Sequence, residues 1–514
     1  MAEKYILGYD LGTGGNKAVL YTSEGKLLIK TFVSYDTIYP QSGWAEHNPL
    51  DWWNSIVKST NELINKSKID RKNIACISIS GHGMGIVPVD KKGNLLRKTT
   101  PIWFDSRAIK QTKEVLNKVG YEEWYQITGA GLRPENYAAF KLMWYKDNEP
   151  DLYKKTYKFL GTKDFINMKM TGKFLSDYSD ASFSGIFDLS KLDYSEELLE
   201  ATSLSREKMP DLFPSIYVVG DLLPEAAEEL NLVKAIPIVL GGHDVPCTAV
   251  GAGNVTKGRV YNYIGTSAWI SLASDEPLLG KEIKTYNGAH VIPGMYTSQV
   301  AIYAAGASYQ WVKDTICKNE VDYAEKSGEN VYSLMEKEAS ESPPGSNGVI
   351  FIPDLMGGGT IHPNPNIRGA FLGLTLSHKK SDLIRSAMEG IAFDLRLVLD
   401  EFKKMGVKAD EIRIVGGGSQ SKLWRKIFSD IYNTKIILTN VGQETAALGA
   451  AAIAAVGTGL WKDFTTIDRI TEVLNVNTPD KVNNAKYEKI LEVYRFVAKE
   501  ISEISEKMVL LGKN

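Results

Sequence analysis

The sequence predicts an α/β fold made of two lobes of similar length, and three observations support this prediction. Short apolar segments alternate with segments of helical periodicity along the whole chain. Three of the apolar segments end in glycine-rich loops, which is where ligands bind in α/β proteins. A strand, a Gly-Thr turn and a second strand occur near the start and again about half a chain later. This repetition indicates a duplicated lobe.

The length and composition agree with this prediction. The chain has 514 residues, too many for one ordinary core, and it is 43% apolar and 24% charged. The formal net charge of −2 gives no electrostatic indication of a nucleic-acid or anionic membrane partner. Three separate cysteines, without a basic and apolar leader, predict a cytoplasmic protein. The six histidines lack the spacing of a transition-metal site, so none is expected.

The first half begins with a predicted β-hairpin. The segments "YILGYD" from Tyr5 and "AVLY" from Ala18 are strand-like, and a glycine-rich turn joins them. The segment that starts at Leu50 has helical periodicity. "IACISIS" from Ile74 and "IPIVLGG" from Ile236 are apolar runs typical of strands that are buried on both faces.

The second half repeats this arrangement. "VYNYIGTSAWISLA" from Val260 predicts a second hairpin, and "IRIVGGGSQS" from Ile412 predicts a buried strand followed by a glycine loop. The small-residue segment from Ala446 predicts a tightly packed, buried helix. We therefore expect one lobe over residues 1–250 and a second over residues 251–514. The alternative is that the two hairpins resemble each other by coincidence.

The turn of the first hairpin has the residue types of a phosphate site. Gly12 and Gly14 allow backbone N–H groups to approach an anion, Thr13 adds a hydroxyl, and Lys17 adds a positive charge. Asp10 would repel a bare phosphate, so it indicates a Mg²⁺ ion, bound through water, between the carboxylate and the phosphates. The two best-known nucleotide loops, G-x-x-x-x-G-K-[ST] and a helix-leading G-x-G-x-x-G, are missing from the sequence. An ordinary hairpin turn is the alternative.

With these motifs the chain resembles the FGGY carbohydrate kinases, a branch of the actin- and Hsp70-like ATPases. "DLGTGGNKA" from Asp10 and "GTSA" from Gly265 are similar to the paired hairpins of that fold. The segment from Gly369 to Glu389 fits the C-terminal signature of the family. The N-terminal signature is met only in part, because Ala138 stands where the family prefers Pro, Ser or Thr. The resemblance covers nearly the whole chain and implies two ribonuclease H-like lobes around a central cleft.

The resemblance implies ATP-dependent phosphorylation of a sugar or polyol hydroxyl. The family's general base is the aspartate that follows a glycine-rich strand end, and Asp244 has that position here. Asp10 would bind Mg²⁺ through water, and Thr266 in the second hairpin would meet the phosphates from the other lobe. The residues assigned to ATP and its phosphates are Gly12, Thr13, Gly14, Lys17, Gly265, Thr266, Gly417, Gly418 and Ser421.

The resemblance implies that the sugar binds on the first lobe. The loop that starts at His82 reads Gln-Met-His-Gly in the xylulose kinases, and it differs here. Trp103 belongs to a segment that lines the cleft in the family, where its ring can pack on the C–H groups of a sugar. The residues assigned to the substrate are His82, Gly83, Met84, Trp103, Asp105, His243 and Asp244.

These matches favour a ketopentose such as xylulose as the substrate. L-xylulose, ribulose, erythritol and gluconate are alternatives, and glycerol is disfavoured because the Arg-Glu pair of the glycerol kinases is missing near His82. A chaperone-like ATPase of the same fold is a further alternative, although Asp244 would have no evident role in it. Dimers are common in the family, so a homodimer is compatible with the resemblance.

Overall fold

Two large β-sheets organise the chain, and each forms the centre of one lobe. The computed structural model describes residues 3–131, 133–281 and 285–511. The strands of the first sheet are, in spatial order, Val218–Asp221, Pro237–His243, Ile74–Gly81, Tyr5–Gly12, Gly15–Thr22 and Leu27–Ser34. Those of the second sheet are Tyr286–Ala289, Tyr296–Ile302, Ala268–Ser274, Val260–Ile264, Glu411–Val415, Lys435–Thr439 and Val473–Asn477.

The two sheets share one topology. In each, two hairpin strands pair in antiparallel fashion, and a third strand, Leu27–Ser34 or Tyr296–Ile302, pairs antiparallel with the second of them. The second sheet carries one extra strand, Tyr286–Ala289, beyond Tyr296–Ile302. A fourth and a fifth strand then extend the sheet in parallel from the other side of the first strand. An antiparallel strand closes that edge in both lobes. The predicted two-lobed α/β fold, with ribonuclease H-like lobes, is therefore confirmed, while the division at residue 250 stays a prediction.

Helices cover the faces of both sheets. The helices of the first half are Pro49–Ser67, Ile109–Val119, Tyr121–Thr128, Ala138–Asn148, Pro150–Lys155, Thr162–Thr171, Tyr178–Ala181, Glu196–Thr202, Pro224–Glu229 and Asp244–Gly251. Those of the second half are Gly306–Ile316, Lys318–Ser327, Val331–Ser340, Lys380–Lys404, Lys422–Tyr432, Thr445–Gly457, Thr466–Ile470 and Lys481–Leu511. Among the described residues, no helix combines the length and apolar character needed to cross a membrane.

Short strand pairs support the connections between these elements. They are Glu46–His47 with Thr100–Pro101, Val87–Val89 with Lys158–Leu160, Leu175–Asp177 with Asp211–Phe213, Phe187–Asp188 with Asp193–Tyr194, and Ile350–Ile352 with Ala370–Leu372.

The helix predicted from Leu50 spans Pro49–Ser67 and shows how a lobe core forms. The Asn48 side chain accepts the Leu50 N–H at 3.1 Å and caps the first turn. The helix buries Trp52 and Ile56 against the apolar residues of the first sheet. Burial of one face fixes the helix against the strand that carries Asp10.

Two helices lie between the sheets and join the lobes. Asp244–Gly251 follows the fifth strand of the first sheet, and Thr445–Gly457 follows that of the second. A Cβ on Gly251 would lie 1.9 Å from the Thr445 carbonyl oxygen, and one on Gly449 would lie 2.0 Å from that of Cys247. Glycine at these two positions therefore allows the helix backbones to touch. This close packing sets the distance between the strand ends of the two lobes.

Candidate active site

A cavity of about 750 Å³ lies between the lobes, at the ends of the central strands. Residues of both lobes line it, as expected for a ligand at such strand ends. The predicted site residues on its surface are Asp10, Gly12, Lys17, Asp244, Gly265, Thr266, Gly417, Gly418 and Ser421. The other predicted residues, which are not among those that line this cavity, are Thr13, Gly14, His82, Gly83, Met84, Trp103, Asp105 and His243.

Asp10 is a buried carboxylate at the end of the first strand. Its Oδ1 accepts a hydrogen bond from Ser80 at 3.1 Å, and its Oδ2 lies 3.6 Å from Lys17 Nζ. Lys17 is the direct cross-strand neighbour of Asp10 in the hairpin. Burial raises the pKa of Asp10, as does the nearby charge of Asp244, while Lys17 and Ser80 lower it. A cation bound here would relieve the cost of burying the carboxylate.

The turn of the first hairpin is held by two aromatic side chains. Gly12 pairs with Gly15, so Thr13 and Gly14 form the two-residue loop between them. Trp103 Nε1 donates a hydrogen bond to Thr13 Oγ1 at 3.0 Å, and the Tyr35 hydroxyl donates to the Gly12 carbonyl. The turn is therefore fixed by its own lobe. Trp103 contacts it from the side on which the sugar is expected.

Asp244 is the first residue of its helix and opens onto the same cavity as Asp10. His243 Nδ1 lies 3.0 Å from Asp244 Oδ1 and 3.2 Å from the Val245 nitrogen. An unprotonated Nδ1 accepts the Val245 N–H, whereas a protonated Nδ1 donates to Asp244. Burial opposes ionisation of Asp244, but His243, His82 and the Val245 N–H outweigh it and lower its pKa. The carboxylate is therefore ionised at neutral pH and can accept a proton.

The ring of His243 is fixed by its neighbours on both faces. It packs on Phe183 with ring centroids 3.8 Å apart. A Cβ on Gly83 would lie 2.2 Å from its Cδ2 and 3.1 Å from Asp180 Oδ1. Because Gly83 has no side chain, the His243 ring and the Asp180 carboxyl can both pack against its backbone. Burial, followed by the charge of Asp164, raises the pKa of Asp180 well above its usual range.

His82 carries an unused hydrogen-bonding atom. The residue is only 2% exposed, and its Nε2 has no partner among the described residues. Its Nδ1 lies 3.3 Å from Thr162 Oγ1. Burial lowers the pKa of His82 to about 3, so the ring is neutral. When Thr162 donates to Nδ1, Nε2 carries the proton and can donate to a ligand oxygen.

Asp105 is engaged within its own lobe. The residue is fully buried, and its two carboxylate oxygens accept hydrogen bonds from Arg107 Nε and Nη2, each at 2.8 Å. The Ala45 N–H donates to Oδ2 at 2.7 Å, and Arg107 also stacks on Trp44. The carboxylate therefore fixes a loop, and its contact with a sugar stays a prediction.

Met84 and Lys141 shape the loop behind the site. Met84 is 5% exposed, adopts a left-handed φ of 59° and borders a cavity of about 50 Å³, enough for water but not for a sugar. Its part in sugar binding therefore stays a prediction. Lys141 Nζ donates to the carbonyl oxygens of Met84 at 3.1 Å and Ile102 at 2.6 Å. The buried lysine ties this loop to the segment that carries Trp103.

The second hairpin presents Gly265 and Thr266 to the cavity from the opposite lobe. The Thr266 carbonyl accepts the N–H groups of Ala305 at 3.2 Å and Ala307 at 3.0 Å, at the start of the helix Gly306–Ile316. A Cβ on Gly306 would lie 2.2 Å from the Gly265 carbonyl oxygen. The hairpin therefore rests directly on a helix N-terminus, where the backbone dipole favours an anion.

The loop from Gly416 to Gly418 packs against the second hairpin. Gly416 has a φ of +91°, and a Cβ there would lie 2.5 Å from the Ile264 carbonyl oxygen. A Cβ on Gly418 would lie 2.3 Å from Ile264 Cγ2, whereas one on Gly417 would meet nothing within 4 Å. Glycine at position 418 is therefore required mainly because Ile264 packs directly against it. Gly417 leaves backbone open to the cavity, as expected beside a flat ring.

Ser421 and several aromatic residues complete this end of the cavity. The Ser421 side chain accepts the Trp424 N–H at 3.0 Å and caps the helix Lys422–Tyr432, so its contact with a nucleotide stays a prediction. The aromatic residues at this end of the cavity were not predicted, because they are spread over four separate segments of the sequence. They are Tyr263, Trp269, Tyr309, Tyr332 and Trp424.

Comparison with known proteins shows to which family the chain belongs. The profile of the FGGY family of carbohydrate kinases, N-terminal domain, matches residues 5–251, and that of the C-terminal domain matches residues 260–458. The chain belongs to the FGGY family of carbohydrate kinases. It is a phosphotransferase, and the expected actin-like ATPase fold agrees with its solved relatives.

Relatives of this carbohydrate kinase carry different substrate names. The xylulose kinase of Bacillus subtilis is 30% identical over 99% of this chain and 100% of its own length. Among solved structures, ligand-bound xylulose kinase from Lactobacillus acidophilus has a TM-score of 0.89 at 26% identity, covering 98% of this chain and 100% of that one. Gluconate kinase from the same organism has the same TM-score and identity over 99% and 100%. The family is therefore established, and the sugar is not.

Proposed function

We propose that this carbohydrate kinase transfers the γ-phosphoryl group of ATP to a hydroxyl of a neutral ketose such as xylulose, with Asp244 as the general base. The observation that carries the proposal is the position of Asp244. Its ionised, one-third exposed side chain (35%) opens onto the cavity that Asp10 and both hairpins line. A base at that position can remove the hydroxyl proton as the phosphoryl group is transferred.

The residues at the phosphate end fit a magnesium–nucleotide complex. Asp10 offers a buried carboxylate whose ion pair with Lys17, at 3.6 Å, is longer than a direct hydrogen bond and leaves room for a metal ion or its water. Gly12 and Gly265 present backbone from the two lobes, with Lys17 and Thr266 beside them. When bound, ATP with Mg²⁺ supplies the transferable phosphoryl group. Asp10 would hold the ion, and the glycine turns would orient the phosphates.

The charges around Asp244 favour a neutral sugar over an aldonate such as gluconate. The two buried lysines of this region are both engaged. Lys163 Nζ lies 2.5 Å from Asp164 and 2.8 Å from Asp177, and Lys141 is bonded to backbone carbonyls. A sugar carboxylate would therefore meet the negative charge of Asp244 without a free cation from either lysine.

Neutral polar groups near Asp244 suit sugar hydroxyls instead. His82 is uncharged, and its Nε2 has no hydrogen-bond partner among the described residues. Burial raises the pKa of Asp180, which favours its neutral form, and a neutral carboxyl can donate a hydrogen bond to a sugar hydroxyl. Trp103 adds an apolar face, with 38% of its surface exposed. These groups support recognition of a ketose through several hydroxyl contacts.

The substitution Asp244→Asn tests the assignment of the base. We expect turnover with D-xylulose to fall by about 10²–10⁴-fold, because general-base catalysis is lost. Binding of MgATP, measured by calorimetry, should remain close to that of the wild type. Asp180→Asn is the matched control, since an amide resembles the protonated acid, and it should lose less turnover than Asp244→Asn.

Two results would overturn the proposal. Turnover of Asp244→Asn close to that of the wild type would remove Asp244 as the base. ATP hydrolysis at one rate with every sugar, without a phosphorylated product, would instead favour the chaperone-like ATPase. The cytoplasmic location and a homodimer stay predictions.

A further inference from the structure

A second cluster of ligand-type side chains lies in the second lobe, outside the cavity. Asp354, His362 and Asp394 each offer one ligand atom, and these atoms all lie within 4.8 Å of one another. His362 Nε2 is 3.0 Å from Asp394 Oδ1 and 3.8 Å from Asp354 Oδ2. None of the three residues lines the cavity of about 750 Å³. The cluster therefore has no part in the proposed phosphoryl transfer.

The three residues come from segments that are separate in the fold. Asp354 follows the strand Ile350–Ile352, His362 belongs to the loop after it, and Asp394 lies within the helix Lys380–Lys404. Tyr494, on the helix Lys481–Leu511, donates a hydrogen bond to Asp394 Oδ1 at 2.7 Å. The cluster thus lies where a loop meets two long helices. Its spacing in the sequence, 354, 362 and 394, matches no metal-binding motif.

Two carboxylate oxygens in the cluster are buried and have no hydrogen-bond partner in the part of the chain that the structure describes. They are Oδ2 of Asp394, a residue that is 1% exposed, and Oδ2 of Asp354, which is 9% exposed. An unpaired buried oxygen is costly, and a buried charge is more so. One proton on His362 does not remove this cost. The imidazolium and the two carboxylates together still carry one net negative charge.

We propose that Asp354, His362 and Asp394 bind one divalent transition-metal ion of the zinc class. Zinc–nitrogen and zinc–oxygen bonds of about 2.1 Å in a tetrahedron separate ligand atoms by about 3.4 Å. The observed separations of 3.0 and 3.8 Å lie on either side of that value. An imidazole ligand favours Zn²⁺ over Mg²⁺ and Ca²⁺, which prefer oxygen ligands only.

Tyr494 has the position of an outer partner in this site. Its hydroxyl donates to Asp394 Oδ1 and orients the carboxylate, whose Oδ2 has no hydrogen-bond partner among the described residues. The bound ion would neutralise the net charge of a neutral imidazole and two carboxylates, and leave a fourth position for water. It would also fix the loop of His362 to the helices of Asp394 and Tyr494. Its role is therefore structural, and it is distinct from the Mg²⁺ expected at Asp10.

Calorimetric titration of Zn²⁺ into the metal-free, untagged full-length protein tests the proposal. Excess Mg²⁺ in the buffer occupies the site at Asp10, so the titration reports the second site. We expect one Zn²⁺ per chain and a rise in melting temperature with Zn²⁺ that Mg²⁺ alone does not produce. Co²⁺ should give a visible absorption band from the imidazole-bound ion.

Four variants separate this site from weaker surface binding. His362→Gln and Asp394→Asn should abolish the stoichiometric Zn²⁺ and the Co²⁺ band. Tyr494→Phe should weaken Zn²⁺ binding by about 10–100-fold, as expected for an outer partner. His378→Gln is the control, because His378 bonds to Thr375 and Asn347 elsewhere in the same lobe, and it should bind Zn²⁺ like the wild type.

The outcomes that contradict the proposal are specific. Equal Zn²⁺ binding by the wild type and His362→Gln would assign the ion to other groups. A wild type that binds no Zn²⁺ in excess Mg²⁺ would leave the cluster as an ion pair only. Because Tyr494→Phe removes a single hydroxyl, it keeps the test decisive if a ligand variant fails to fold, which circular dichroism would detect.

Discussion

The two Gly-Thr hairpins occupy equivalent positions in the two sheets, yet they carry different side chains at the same point. Two residues before the turn glycine, the first hairpin pairs Asp10 with Lys17, and the second pairs Tyr263 with Trp269. The first pair is charged, whereas the rings of the second are stacked 3.9 Å apart. Equivalent hairpin strands thus carry a charged pair in one lobe and an aromatic surface in the other.

This difference suggests a division of labour between the lobes. The first hairpin has the groups for a metal ion and phosphates, and it lies beside Asp244. The second hairpin offers backbone and a flat surface, next to the glycine loop and the aromatic residues of the nucleotide end. The turns also differ in length, since the first has a two-residue loop and the second a three-residue loop. Matched substitutions in the two hairpins can test whether the side chains or the backbone account for the activity.

Asp10→Ala should have the largest effect among these matched changes. We expect turnover to fall by about 10²–10³-fold, because the carboxylate that positions the ion at the phosphates is lost. Initial rates over a series of Mg²⁺ concentrations check this. Lys17→Met is the matched control and should lose less, since the lysine is over one-third exposed (37%). An equal loss in both variants would contradict the assignment of the ion to Asp10.

The counterpart in the second hairpin, Trp269→Ala, should act on nucleotide binding. Loss of the ring removes the partner of Tyr263, so we expect the KM for ATP to rise by about 5–10-fold, a stacking loss on the order of 1 kcal/mol. The kcat should change less than the KM, and Trp269→Phe, which keeps a stacked ring, should restore most of the binding. A fall in kcat without a change in KM would show that the aromatic pair serves catalysis instead.

Two glycine substitutions compare how closely the backbone is packed at the two hairpin turns. Gly306→Ala places a Cβ 2.2 Å from the Gly265 carbonyl oxygen, and should cost about 1–3 kcal/mol of unfolding free energy. Gly12→Ala meets its nearest neighbour only at 3.6 Å, so it should leave the melting temperature nearly unchanged. Thermal unfolding of both variants distinguishes them. A more destabilising Gly12→Ala would mean that the first turn has less room than its geometry indicates.

A further comparison concerns acid stability and one buried histidine from each half of the chain. Burial lowers the pKa of His82 and of His290 to about 3, well below that of an unfolded histidine. The unfolded chain therefore binds more protons below about pH 6.5, and the free energy of unfolding should fall by up to about 1.4 kcal/mol per pH unit for each histidine.

Urea unfolding between pH 6.5 and pH 4.5 measures this dependence. His82→Gln and His290→Gln should each reduce its slope by a similar amount, and His378→Gln should leave it unchanged. If all three variants keep the wild-type slope of unfolding free energy against pH, the loss of stability in acid comes from carboxylates alone.

Local features of the fold could be predicted from the sequence. The hairpins, the strand ends and the roles of glycine follow from short segments, so Asp10, Gly265 and Asp244 could be located before the structure. The burial of Asp105 could not be predicted, because it depends on the hydrogen bonds with Arg107, which itself stacks on the distant Trp44. The cluster around His362 was also missed, since tertiary packing, and not spacing, brings its ligands together.

Selection between a neutral ketose and an aldonate gives the most direct test of the site. ADP release by the wild-type protein should be measured with D-xylulose and with D-gluconate under the same conditions. Because an uncompensated carboxylate would lie near Asp244, we expect kcat/KM for D-xylulose to exceed that for gluconate by at least about 10²-fold. An equal or higher kcat/KM for gluconate would contradict the proposed arrangement of charge in the first lobe.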